Sequence, residues 1–245
     1  MIEATNLTKV FRDRKGGDIR AVHGITFRCQ PGQIYGLLGA NGAGKTTALR
    51  LLATILQPTD GTARVAGFDI REQPEKVRAS VGFLSTATAL YGRLTPRETV
   101  EYFGRLNGLN GDKLRRRTEE LFALLEINEF ADRRCDKLST GMKQKVSIAR
   151  TLVHDPPVMI FDEPTLGLDV MAARTIVGFI RDCRSCGKTV IFSSHVMSEV
   201  QKLCDYIGII HQGRLLAGGS LAELRQRTRQ ADLEEIFIQM VEAAP

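Results

Sequence analysis

Short apolar runs alternate with longer stretches of helical spacing along most of this chain. Ile34–Leu38 is uncharged and leads straight into Gly39–Gly44, after which Thr46–Ile55 carries apolar positions at helical intervals. Val81–Leu84, Val158–Phe161, Thr189–Phe192 and Ile207–Ile210 are further short apolar runs, with helical patterns at Met171–Arg184 and Val196–Leu203 between the later ones. This alternation predicts an α/β fold. Ala21–Cys29 and Thr62–Ala66 read as strands of a flanking antiparallel sheet. No internal repeat or low-complexity segment interrupts the pattern.

The middle of the chain changes character. From Pro96 to about Val153 no strand pattern occurs, only helix. Thr95, Pro96 and Glu98 supply an N-cap, a first-turn proline and a capping-box acid, and Asp112 is the expected cap of the next helix. That helix carries Lys113, Arg115, Arg116 and Arg117. The cluster reads as a solvated face; a nucleic-acid or lipid contact is the other reading, and no interleaved aromatics support it. Ser220 and Glu223 form another capping box. Leu233, Ile236, Phe237 and Met240 mark a last helix that docks on the core.

Composition narrows the class. At 245 residues and 43% hydrophobic content the chain is long enough for a real core, and its 25% charged fraction excludes wholesale disorder. No apolar run approaches the ~20 residues of a membrane span. Met1–Asn6 has neither the basic start nor the apolar stretch of a secretory signal, which predicts a cytoplasmic location. The net charge of +6 permits anionic ligands or surfaces without selecting one. Five scattered cysteines, including a lone Cys183-x-x-Cys186, point to free thiols rather than a disulfide framework.

Two stretches carry chemistry. Gly39, Ala40, Asn41, Gly42, Ala43, Gly44, Lys45 and Thr46 fit G-x-x-x-x-G-K-[ST] between a strand and a helix, and Thr47 follows directly. Such glycines let backbone N–H groups wrap a phosphate chain at a helix N-terminus. Lys45 is placed to reach the β- and γ-phosphates, and the Thr46 hydroxyl to ligate Mg²⁺. Val158–Phe161 ends in Asp162 and Glu163, two carboxylates at a strand end. Asp162 is the expected Mg²⁺ partner, and Glu163 the base that orients and deprotonates the attacking water.

Leu138-Ser139-Thr140-Gly141-Met142, taken alone, is a Ser-capped helix start. Lying between the phosphate loop and Asp162-Glu163-Pro164-Thr165, it resembles the LSGGQ signature of ATP-binding cassette (ABC) transporter subunits, and the motifs occur in that family's order over about the first 220 residues. The resemblance implies a RecA-like P-loop core with an antiparallel β subdomain and an inserted helical subdomain. It implies an ATPase domain over 1–220, with the helical part at about 87–153 and a C-terminal helical tail at 221–245. ATP and Mg²⁺ are the implied cofactors. Phe11 matches the aromatic that stacks on adenine, Asp169 the D-loop acid at a dimer seam, and His195 the switch histidine at the γ-phosphate. Ser139 and Gly141 would face the ATP of a second copy. The implied assembly is a homodimer, or a paired cassette, closing on ATP beneath separate polytopic membrane subunits on the inner face of the cell membrane. No nucleic acid is expected. Within the family, Ser139–Lys145 and Leu90–Thr95 look most like NatA-type subunits, the ATPases of sodium-extruding exporters.

The signature departs from the family at Thr140 and Met142, and Thr86 stands where the family places a Gln. A soluble ABC ATPase without a transport role, a small-molecule P-loop kinase and a slow-turnover regulator are the competing readings. The signature and Glu163 count against the kinase.

Overall fold

The computed structural model describes residues 1–12, 16–85 and 89–244. The chain opens with β1 (Ile2–Arg12), β2 (Asp18–Cys29) and β3 (Ile34–Leu38), followed by α1 (Lys45–Leu52), β4 (Asp60–Val65) and the two-residue β5 (Phe68–Asp69). Then come α2 (Pro74–Ser80), β6 (Val81–Ser85), α3 (Pro96–Leu106), α4 (Gly111–Leu124) and α5 (Thr140–Leu152). Short 3-10 turns at Asn128–Phe130 and Cys135–Lys137 join the last two helices. The chain closes with β7 (Val158–Asp162), α6 (Val170–Ser185), β8 (Thr189–Ser194), α7 (Met197–Leu203), β9 (Tyr206–His211), β10 (Arg214–Gly219), α8 (Leu221–Thr228) and α9 (Leu233–Glu242).

The expected strands and helices of the alternating pattern all form. Among the described residues they build a six-stranded sheet, β10-β9-β3-β8-β7-β6, parallel except for β10. β3, β7 and β8 are buried along their whole length, which explains the apolar runs Ile34–Leu38, Val158–Phe161 and Val190–Phe192 within them. Alternate residues serve two cores. Tyr35, Leu37, Ile160 and Ile191 pack with α1 and the antiparallel sheet β2-β1-β4-β5, while Leu38, Phe161, Val190 and Phe192 face the helices. The register sets Leu38 opposite Ser194 and Asp162 opposite Ser193. Three strand ends therefore open on one edge, where ligands of such sheets bind.

Pro96–Leu152 is helical as expected, and the Thr95–Glu98 and Ser220–Glu223 capping boxes both close. Leu233 and Ile236 are fully buried, with Phe237 and Met240 packed against the same core. Three expectations need correction. The cap of α4 is Asn110, and Asp112 lies inside the first turn. α1 begins at Lys45 and stops at Leu52 because the chain leaves the helix through Ala53 and a left-handed Thr54 (φ 57°). β1, β10 and α2 arise where no pattern announced them. In β1 the apolar alternation is broken by register shifts between Ala4 and Val10, with Asn6 at φ 50°. Among the described residues no helix is long and apolar enough to cross a membrane.

Candidate active site

The phosphate loop is a backbone device that only glycine can complete. Gly42 and Gly44 hold φ of 80° and 104°. A Cβ on Gly44 would lie 2.3 Å from the Ala21 carbonyl oxygen, and one on Gly39 2.4 Å from that of Ile210. The loop is thus pressed between β2 and β9. Gly213, in the β9–β10 turn, donates to Ala43 O at 2.9 Å and accepts from His23 N at 2.8 Å, tying both sheets to the loop. Lys45 is buried; its ammonium donates to Gly39 O (2.6 Å) and Ala40 O (3.1 Å) and pairs with Glu163 Oε1 at 2.9 Å. Asn41 and Gly42 are exposed at the loop's crest, and Thr46 and Thr47 are half-buried on the first turn of α1.

The two carboxylates at the end of β7 have different surroundings. Asp162 is buried, and its Oδ1 accepts from the Thr46 and Ser193 hydroxyls, both at 2.9 Å. A hydroxyl and a carboxylate side by side form a hard oxygen donor set of the kind Mg²⁺ takes, with phosphate and water completing an octahedron. Glu163 is left-handed, at φ 47°, an uncommon conformation for a non-glycine residue. It is held there by Ser193 Oγ, which accepts its N–H at 2.9 Å, and by its own carbonyl, which accepts Leu166 N–H at 3.1 Å. Its second oxygen lies 2.9 Å from His195 Nδ1. A carboxylate turned out of its strand, flanked by an ammonium and an imidazole, can accept a proton and pass charge to a neighbour.

Lys45, Thr46, Asp162, Glu163 and His195 are thus brought together at one sheet edge. Ser193 joins them, although the sequence reading passed over it. Its signal was weak: a hydroxyl at a strand end next to another hydroxyl. Ser139 and Gly141 do not reach this cluster within the chain. They open α5, where Ser139 Oγ accepts Met142 N–H, and with Asp169 and Met171 they line a separate hollow of about 480 Å³. Asp169 caps α6, accepting Ala172 N–H at 2.9 Å. Phe11 stands on β1, 37% exposed, with Lys9 Nζ 5.2 Å from its ring centre. Thr86 lies outside the described residues.

A phosphate loop on the central strand of a mostly parallel sheet, an acid pair on β7 with β8 between the two, and helices inserted before β7 define a P-loop nucleotide triphosphatase of the RecA-like kind. Residues 22–166 match the family model "ABC transporter". The chain belongs to that family, as one of its ATP-binding, ATP-hydrolysing subunits. It is 42% identical over 97% of both chains to the ABC transporter ATP-binding protein NatA of Bacillus subtilis. Its fold superposes on a solved ATP-binding subunit of an ABC transporter with TM-score 0.87 and 27% identity, covering 98% of this chain and 99% of the other. The dimeric, post-hydrolysis ATP-binding cassette MJ0796, bound to ADP and Pi, matches with TM-score 0.81 and 25% identity over 90% and 99% of the two chains.

Proposed function

We propose that this subunit powers export, sodium ions being the favoured solute, by hydrolysing MgATP at two composite sites between paired copies. The observation that carries the catalytic part is the bridge from Lys45 through Glu163 to His195, set beside the Thr46–Asp162 pair. Gly39–Thr47 cradle the phosphates with backbone N–H groups, and Lys45 neutralises the γ-phosphate. Thr46 and Asp162 hold Mg²⁺, which supplies charge to offset the phosphate oxygens. Glu163 takes a proton from water as its oxygen bonds the γ-phosphorus and the bond to the β-phosphate oxygen breaks. His195 keeps Glu163 aimed and meets the γ-phosphate. Phe11 stacks on adenine.

The second half of each site comes from the partner's Ser139–Gly141 turn and Asp169. The exposure of Leu166 (54%), Val170 (83%) and Met171 (71%) beside that turn supports a covered seam. ATP closes the seam and hydrolysis reopens it. A groove of about 400 Å³ between β6 and the α3–α5 pair, lined in part by Ile55, Phe83 and Phe103, supports docking of membrane subunits, which hold the protein at the inner membrane face. The 1–220 ATPase domain, its helical part at about 87–153 and the 221–245 tail describe the same organisation. Sodium export rests on the likeness to NatA alone. The test is reconstitution with the membrane protein that co-purifies: ATP-driven sodium efflux from vesicles supports the reading. Co-purification with no membrane protein removes the transport role.

A further inference from the structure

The strand-end turns that carry Glu163 and His195 are tied together a second time, by a residue outside the phosphate loop and the carboxylate pair. Glu199 lies in the first turn of α7 and is half-buried. Its Oε2 accepts the Thr165 hydroxyl at 3.0 Å and the Ser194 hydroxyl at 3.1 Å. Thr165 is two residues beyond Glu163, and Ser194 immediately precedes His195. Ser194 Oγ also accepts Val196 N–H at 3.0 Å, so one hydroxyl fixes both sides of the histidine. α7 itself is anchored, with Val200 and Leu203 buried in the core that α9 completes. One carboxylate oxygen on a fixed helix thus clasps both turns.

We propose that Glu199 is a positioning residue for ATP hydrolysis, holding the Glu163 turn against the His195 turn so that the two side chains keep their pairing. The proposal rests on the reading of Glu163 as the base. Hydrogen bonds to a charged acceptor are the stronger ones, and small misplacement of a catalytic group lowers rate far more than binding. Both hydroxyls meet the same oxygen, so an amide oxygen can replace it. The clasp needs an acceptor rather than a charge, which separates this role from that of a base or a metal ligand.

The test uses the full chain and compares Glu199→Ala, Glu199→Gln, Thr165→Val and Glu163→Gln in steady-state ATPase assays, with ATP binding read separately by thermal shift. Glu199→Ala should lower kcat roughly 10-fold or more with KM for ATP within about 3-fold. Glu199→Gln should recover most of that loss. Thr165→Val, which keeps the side chain's shape, should lower kcat alone, and adding it to Glu199→Ala should cost less than the product of the two effects. Unchanged kcat in Glu199→Ala overturns the proposal, as does a Gln variant as slow as Ala or a rise in KM alone. If Glu199→Ala does not fold, Thr165→Val decides: wild-type turnover overturns the clasp. Normal turnover in Glu163→Gln defeats instead the reading on which the proposal stands, whatever Glu199 does.

Discussion

His195 Nδ1 lies 2.9 Å from Glu163 Oε2, across the gap between the ends of β8 and β7. A carboxylate oxygen accepts in such a pair, so Nδ1 is the donor. The imidazole thereby fixes one carboxylate oxygen while Lys45 holds the other. Glu163→Gln keeps the shape and removes the proposed base. ATP hydrolysis should fall at least ~100-fold, while the ATP-dependent thermal shift persists. Near-normal turnover in that variant would remove Glu163 from the chemistry.

The proposed pairing of this edge with a second copy predicts complementation. Ser139→Arg fills the turn proposed to face the partner's nucleotide, and Lys45→Ala empties the phosphate loop of its cation. Each homodimer should be inactive. A mixed dimer has one site with both lesions and one with neither, so mixing should restore up to about half of wild-type turnover per mixed dimer. Mixtures as inactive as either parent would rule out composite sites.

His154 supports a pH prediction. It follows α5, and its Nε2 donates to Val81 O at 3.2 Å while Nδ1 is buried without a partner. Burial lowers its pKa below the ordinary 6.5, ahead of the opposing effect of the Val81 bond. The folded protein therefore holds the neutral ring where the unfolded chain takes up a proton. The stability this contributes is complete above pH 6.5 and is lost as pH falls from 6.5 toward the folded-state value. His154→Gln, which can keep the carbonyl bond, removes that slope. In denaturant melts from pH 7.5 to 5, the wild type should lose stability relative to the variant by at most about 1.4 kcal/mol per pH unit, the ceiling for one proton. Parallel curves would mean that the ring takes up its proton as readily in the fold as in the unfolded chain.

Much of this site was legible in the chain because its backbone demands are local. Glycines at Gly42 and Gly44, where φ is positive, and the uncharged β3 before them fix the loop within a dozen residues. Asp162 and Glu163 were legible for the same reason, as charges ending an apolar strand. What escaped notice is long-range. Ser193 meets Asp162 from 31 positions away, and Glu199 meets Thr165 from 34. A serine at a strand end or a glutamate in a helix's first turn has ordinary local explanations, and only the pairing of β7 with β8 makes them neighbours. β1 was hidden differently, because bulges break the two-residue period on which its detection depends.

The two central glycines of the phosphate loop should not respond alike to alanine. Both are left-handed, so each substitution carries a backbone penalty of roughly 1–2 kcal/mol. At Gly42 a Cβ meets nothing within 4 Å. That penalty is the whole structural effect, and for a chain of this length it lowers Tm by about 2–4 °C per kcal/mol. At Gly44 the added Cβ would lie 2.3 Å from Ala21 O and 3.4 Å from Gly213 Cα, and both contacts are backbone that cannot rotate away. The loop must then lift from β2, which breaks the Gly213–Ala43 hydrogen bond and moves Lys45 off its two carbonyls. Gly44→Ala should therefore melt lower than Gly42→Ala and lose the ATP-dependent thermal shift. Gly42→Ala should keep most of that shift, which amounts to about 2.7 kcal/mol for a ligand at 100 times its Kd. Melts of both variants with and without ATP decide the matter: equal shifts in the two would show that the contact with β2 does not set the loop's position.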